Sequence, residues 1–186
     1  MRLNSTNFRT ELSRPTLDDY LNTLEKLFVL EYIPATNLNL RSNTPLRVSP
    51  KIELVDPSIA TAVMGLKRND LVNDLNYTGF IFENLCMRDL KIYADSINAS
   101  IAYYRDKNDL EVDAILKTEN GKWGAIEIKF GDGEIEDAAK TLLTFKDKVD
   151  TNKFGEPEFL MVLTGTTYSY KRKDGVYVVS IGSLKN

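Results

Sequence analysis

The stretch LEVDAILKTENGKWGAIEIKFG, residues 110–131, limits the fold more than any other part of the chain. Apolar and polar residues alternate on both sides of a glycine-containing turn, the pattern of an antiparallel hairpin. Val112, Ala114 and Leu116 share one face of the first strand. Ile126, Ile128 and Phe130 share one face of the second. If both sets face the core, Val112 opposes Ile128 and Ala114 opposes Ile126. Thr118 then opposes Lys122, and the loop is Glu119, Asn120 and Gly121, with Gly121 in the left-handed position. A two-residue Asn-Gly loop would instead pair Val112 with Lys129, against the hydrophobic pattern.

The favoured register sets Asp113 opposite Glu127, and Glu111 opposite Lys129 on that same face. Carboxylates whose Cβ atoms lie about 5 Å apart repel unless positive charge sits between them. Lys129 answers part of that demand, and a divalent cation would answer more. The alternative is a solvated outer face, common on antiparallel strands and the better reading of spacing alone.

Composition narrows the chemistry. The 186 residues suit one large domain, or a small module joined to a medium one. Histidine is absent, which removes Ser-His-Asp and Cys-His catalysis and the usual histidine metal sites. The single cysteine, Cys86, excludes an internal disulfide framework and a multi-cysteine zinc site. No disulfide-linked partner is expected. Any metal site would be oxygen-rich, favouring magnesium, manganese or calcium. The net charge of -3 gives no global nucleic-acid signal. No apolar run reaches membrane length, and MRLNSTNFRT has no signal-peptide core, so a cytoplasmic protein is expected.

The spacing of Leu17, Tyr20, Leu21, Leu24, Leu27 and Phe28 predicts a helix capped by Thr16 and ended by Pro34. PKIELVD reads as extended, and a short helix is expected after Asp56 with Pro57 at its first position. From about Asp70, one long helix is expected, then the strand ASIAYYRD, the hairpin, a helix from GEIEDAAKTLLTFKDKV, and strands in PEFLMVLTG and GVYVVSIG. This predicts a mixed central β-sheet flanked by helices, an α+β or α/β class. The expected division is 1–67 and 68–186.

Glu83, in GFIFENLCMRDL, lies among apolar residues and needs a partner or a wet site. The order of helix Glu83, strand Asp113 and then Glu127-Ile128-Lys129 resembles the PD-(D/E)XK nuclease-like superfamily, with its restriction-endonuclease-like core. From about Ser13 onward, TLDDYLNTLEKLFVLEYIPA, LRVSPKIELVDPSIA, YYRDKNDLEVDAIL and AIEIKFG resemble the C-terminal half of uncharacterised bacterial and archaeal AAA-type ATPases. There a winged-helix-like piece precedes a nuclease-like core. The chain shows no G-x-x-x-x-G-K-[ST] stretch, so it is expected to be a fragment or a stand-alone descendant, with no ATP dependence implied. The resemblance implies metal ligands at Asp113 and Glu127, with Glu83 auxiliary and the Ile128 carbonyl a further candidate. It implies Lys129 as the catalytic lysine and Mg or Mn as cofactor. The activity it implies is exonuclease-like hydrolysis of DNA; the alternative is an inactive nuclease-like module that binds nucleic acid or docks onto an ATPase.

Tyr104 and Arg105, and Lys171, Arg172 and Lys173 beside Tyr168 and Tyr170, are candidate nucleic-acid contacts by stacking and phosphate pairing. Each has a plainer reading, as core tyrosine or solvated hairpin tip. Arg41 and Arg47 lie where a wing would be. Lys140 follows the EIK strand and is a candidate to face the site. Trp123 and Cys86 are expected to pack in the core.

Overall fold

The structure is a computed structural model that describes residues 13–36, 38 and 49–185. The N-terminal part holds α1 (Arg14–Lys26), the antiparallel pair β1 (Leu30–Ile33) and β2 (Lys51–Leu54), then α2 (Pro57–Val63) and α3 (Arg68–Asn73). α4 (Leu75–Ser96) leads into β3 (Ala99–Arg105), β4 (Glu111–Thr118) and β5 (Trp123–Lys129). α5 (Ile135–Lys148), α6 (Thr151–Phe154), β6 (Phe159–Thr164), β7 (Tyr170–Lys171) and β8 (Tyr177–Ser180) complete the order. The main sheet runs β3-β4-β5-β6-β8-β7. It is antiparallel from β3 to β5, parallel from β5 through β6 to β8, and antiparallel again at β7. This is the expected mixed sheet flanked by helices.

Each face of the sheet buries its own cluster. On one side α5 sends Ile135, Ala138, Ala139, Leu142 and Phe145 against Tyr104, Val112, Ile115, Trp123 and Ala125. On the other, Phe82, Cys86, Met87 and Leu90 of α4 pack on Ala114, Ile126, Ile128 and Leu163. Trp123 and Cys86 are core residues, as expected, and the Trp123 indole N–H donates to the Phe154 and Gly155 carbonyls at 3.1 Å each. Gly124 lets the Phe159 ring approach: a Cβ there would lie 2.4 Å from it.

Several local expectations change. α1 begins at Arg14 with Ser13 as cap and stops at Lys26, before Phe28 at φ 56°; the segment before Pro34 is strand β1 instead of helix. The long helix expected from Asp70 is broken at Asp74, whose side chain accepts the Tyr77 N–H and caps α4. The β4–β5 register is the one expected, with Ala114 opposite Ile126, the Thr118 N–H donating to the Lys122 carbonyl at 2.9 Å, and Gly121 at φ 83°. Val112 departs from it. Between the pairs Ala102–Ile115 and Tyr104–Val112, β4 spends one more residue than β3. That bulge sends Val112 to the α5 side with Ile115, while Ala114 stays on the α4 side.

A candidate metal site at the carboxyl ends of the parallel strands

The bulge positions Asp113. The recorded β4–β5 ladder ends at Ala114–Ile126, and the Asp113 carboxylate accepts the Ile128 N–H at 2.9 Å in place of the next ladder bond. A strand N–H lies in the sheet plane, so this carboxylate does too. The Ile128 carbonyl points to the same side as its N–H, toward the gap. Glu127 and Lys129 follow the alternation of Trp123 and Ala125 and lie on the α5 side, where Lys129 Nζ sits 3.1 Å from Glu127 Oε2. Asp113 therefore meets Glu127 at the gap between the splayed strands, and the two are not an opposed pair on one flat face. The gap lies at the C-terminal end of β5 and beside that of β6, where open sheets with parallel strands bind ligands.

Asp113 and Glu127 are each 5% exposed. Burial pushes the Asp113 carboxyl well above the usual carboxylate range, and nearby Glu83 pushes it further; Lys51 and Lys129 oppose this. Burial and then Asp113 push Glu127 up, against Lys129. Lys129 is raised: burial works against its charge, and Asp113 and Glu127 outweigh burial. The solvated outer face considered from spacing alone does not apply to these two acids.

Glu83, half-buried on α4, acts electrostatically on Asp113 and is paired with a residue that sequence reasoning missed. Lys51 of β2 pairs with Glu83 Oε1 and lies 3.0 Å from Glu53 Oε1. Burial works against its charge, yet Glu83, Glu53 and Asp113 together hold its pKa above the ordinary lysine range. No local pattern in PKIELVD signals this, because the contact spans 32 residues of sequence.

Among the described residues, no group of three or more His, Cys, Asp or Glu is gathered so as to hold a metal ion. The site offers two buried carboxylates and a backbone carbonyl, with Glu83 engaged by Lys51. Magnesium is commonly held by one or two carboxylates and keeps several waters, so this all-oxygen donor set fits magnesium or manganese.

The candidate nucleic-acid contacts scatter. Tyr104 is fully buried, tilted against Phe145 at 4.7 Å and bonded to Asp106 at 3.1 Å, so it cannot stack on a base. That expectation is corrected: β3 turns its ring toward α5. Arg105 pairs with Asp109 at 3.0 Å and Glu111 at 3.7 Å. Arg172 is forked onto Glu136 and Asp174, and Lys171 lies over the Tyr177 ring. β3 and β7 are opposite edges of a six-stranded sheet, about 24 Å apart at ordinary strand spacing, so these residues form no single patch. Lys140 and Lys173 are exposed. Arg41 and Arg47 lie outside the described residues.

Fold and site together define a mixed α/β domain with helices on both faces of its sheet and an acidic gap at the strand ends. The chain belongs to the family described as "Domain of unknown function (DUF4143)", matched over residues 78–184. Residues 2–70 match a second family, "Domain of unknown function (DUF8612)". No curated protein is similar enough to match. A solved structure from Thermococcus gammatolerans, the refined half-complex from a tetradecameric assembly of McrB AAA+ hexamers with bound McrC, is similar at 9% identity and a TM-score of 0.39. The match covers 94% of this chain and 64% of that one. No helix among the described residues is long and apolar enough to cross a membrane.

Proposed function

We propose that the chain is a metal-dependent phosphodiesterase acting on DNA, an exonuclease-like member of the PD-(D/E)XK type with a winged-helix-like piece over residues 1–67. The observation that carries this reading is the pair of buried acids, Asp113 and Glu127, beside Lys129 at the end of the sheet. Burying two carboxylates with so little compensation is costly, and a fold that keeps them has a use for a cation there. Asp113, Glu127 and the Ile128 carbonyl would hold magnesium or manganese. When bound, the ion would supply Lewis acidity toward the scissile phosphate and a more acidic water. The Lys129 ammonium supports the negative charge that grows on the phosphoryl oxygens.

Linear and circular DNA incubated with the purified chain and magnesium or manganese tests this. Cleavage is expected, and it should vanish in Asp113→Ala and Lys129→Ala. Absence of cleavage, or cleavage that survives both substitutions, sinks the reading.

A second reading is a silent nuclease-like module that docks onto a protein such as an ATPase. α1 favours it: the helix buries no residue, and Tyr20, Leu27 and Phe28 at and beyond it are 59%, 65% and 81% exposed. Calorimetric titration with manganese separates the two readings, since the silent module has no need to bind the ion.

A further inference from the structure

Lys51 reaches the acidic gap from the N-terminal part of the chain, and the way that part is fastened suggests why. In β2, Lys51 and Glu53 share one face by strand alternation, and that face lies on α4. Lys51 pairs with Glu83, the Asn84 amide donates to Glu53 at 2.9 Å, Arg88 pairs with Asp56 at 3.0 Å, and Lys91 pairs with Glu31 of β1. The same helix packs Phe82, Cys86, Met87 and Leu90 around Ile33 of β1, so β1 is seated in the core, while Lys51 and Glu53 of β2 and Asp56 before α2 are held by charged and polar contacts. At the gap, Glu53, Glu83, Asp113 and Glu127 face two ammonium groups, Lys51 and Lys129, an excess of two negative charges when all are ionised.

We propose that Lys51 is a built-in counter-cation of the acidic gap, competing with the divalent ion for Glu83, so that loading the site releases Lys51 from Glu83. This rests on the metal-dependent reading above and adds a regulation to it. Lys51 keeps Glu83 out of the ligand set while the site is unloaded. A divalent ion beside Asp113 repels the Lys51 ammonium and offers Glu83 a stronger partner. Occupancy of the site and the Lys51–Glu83 pair become linked, each weakening the other.

Two measurements on the full chain test it. In calorimetric titration with manganese, Lys51→Met should bind on the order of tenfold more tightly than the native chain, the scale expected when one adjacent like charge is removed. In the native chain, reductive methylation read by mass spectrometry should find Lys51 protected without manganese and modified with it. The second measurement decides if Lys51→Met does not fold. Equal or weaker binding by a folded Lys51→Met, or Lys51 reactivity that manganese does not change, overturns the proposal. If the native chain binds no manganese, or Asp113→Asn binds it equally well, the metal-dependent reading falls and takes this one with it. If the native chain binds, Asp113→Asn does not, and Lys51→Met gains nothing, only the role of Lys51 falls.

Discussion

Two buried acidic centres lie on either side of the β3–β4 turn, and they have opposite electrostatics. Asp106 is fully buried, yet it accepts bonds from Lys148 at 2.7 Å, the Tyr104 hydroxyl at 3.1 Å, and the Asn108 and Leu110 N–H groups at 2.8 and 3.1 Å. Burial pushes its carboxyl up, but Lys148, the two backbone N–H groups and Tyr104 outweigh burial and hold it below the usual range. Asp113 and Glu127 are almost as buried, yet burial and repulsion from a neighbouring acid, Glu83 for Asp113 and Asp113 for Glu127, prevail and both are raised. Their lysines are matched too: Lys148 and Lys129 each have side chains 26% exposed. Burial therefore does not separate a satisfied acid from an unsatisfied one; the supply of donors does. Asp106 closes a turn, whereas Asp113 and Glu127 keep an unmet demand for positive charge.

The largest expected effect breaks the closed centre. Asp106→Ala leaves the Lys148 ammonium, a tyrosine hydroxyl and two backbone N–H groups without their acceptor, and should cost about 3–5 kcal/mol in urea unfolding. At the open centre the sign reverses. Asp113→Asn removes a charge that the fold disfavours and should raise stability at neutral pH by about 1–3 kcal/mol while abolishing manganese binding. Lost stability in that variant would place Asp113 with Asp106.

The pH dependence sharpens the contrast. The folded pKa of Asp106 is depressed, so its stabilisation is complete above the unfolded value of about 3.9 and is lost as pH falls through the folded value. The folded pKa values of Asp113 and Glu127 are raised, so their centre is least costly in acid and stability is lost as pH rises from the ordinary carboxylate range through the folded values. The gap in unfolding free energy between Asp113→Asn and the native chain should widen from about pH 4 toward neutrality. The smallest effect is expected from Lys129→Met, about 1 kcal/mol or less, because Glu127 can take up a proton when its partner leaves. DNA cleavage by that variant should be lost all the same.

Much of this was legible in the letters where the forces are local. The hairpin register followed from alternation and a glycine able to take positive φ, and the helix expected in GEIEDAAKTLLTFKDKV is α5, which buries Ile135, Ala138, Ala139, Leu142 and Phe145 at helical spacing. Strand periodicity put Glu127 and Lys129 on one face, where they pair, but the face it gave Asp113 was changed by the bulge. Tyr104 was misread because periodicity does not say which face of an edge strand a helix will cover. The bulge in β4 was invisible too, since the extra residue exists only relative to β3.

The sequence by itself determined the order of the longer elements from β2 onward, apart from the break at Asp74 and the short α6 and β7, together with the absence of histidine ligands and the acids at the hairpin's open end. Tertiary structure alone decided that Lys51 claims Glu83, that Asp113 turns into the sheet plane, and that Asp106 is fully satisfied where Asp113 is not. The physical reason is range: propensity and periodicity act over a few residues, whereas a carboxylate's protonation and partners depend on every charge and donor the fold brings within a few ångströms.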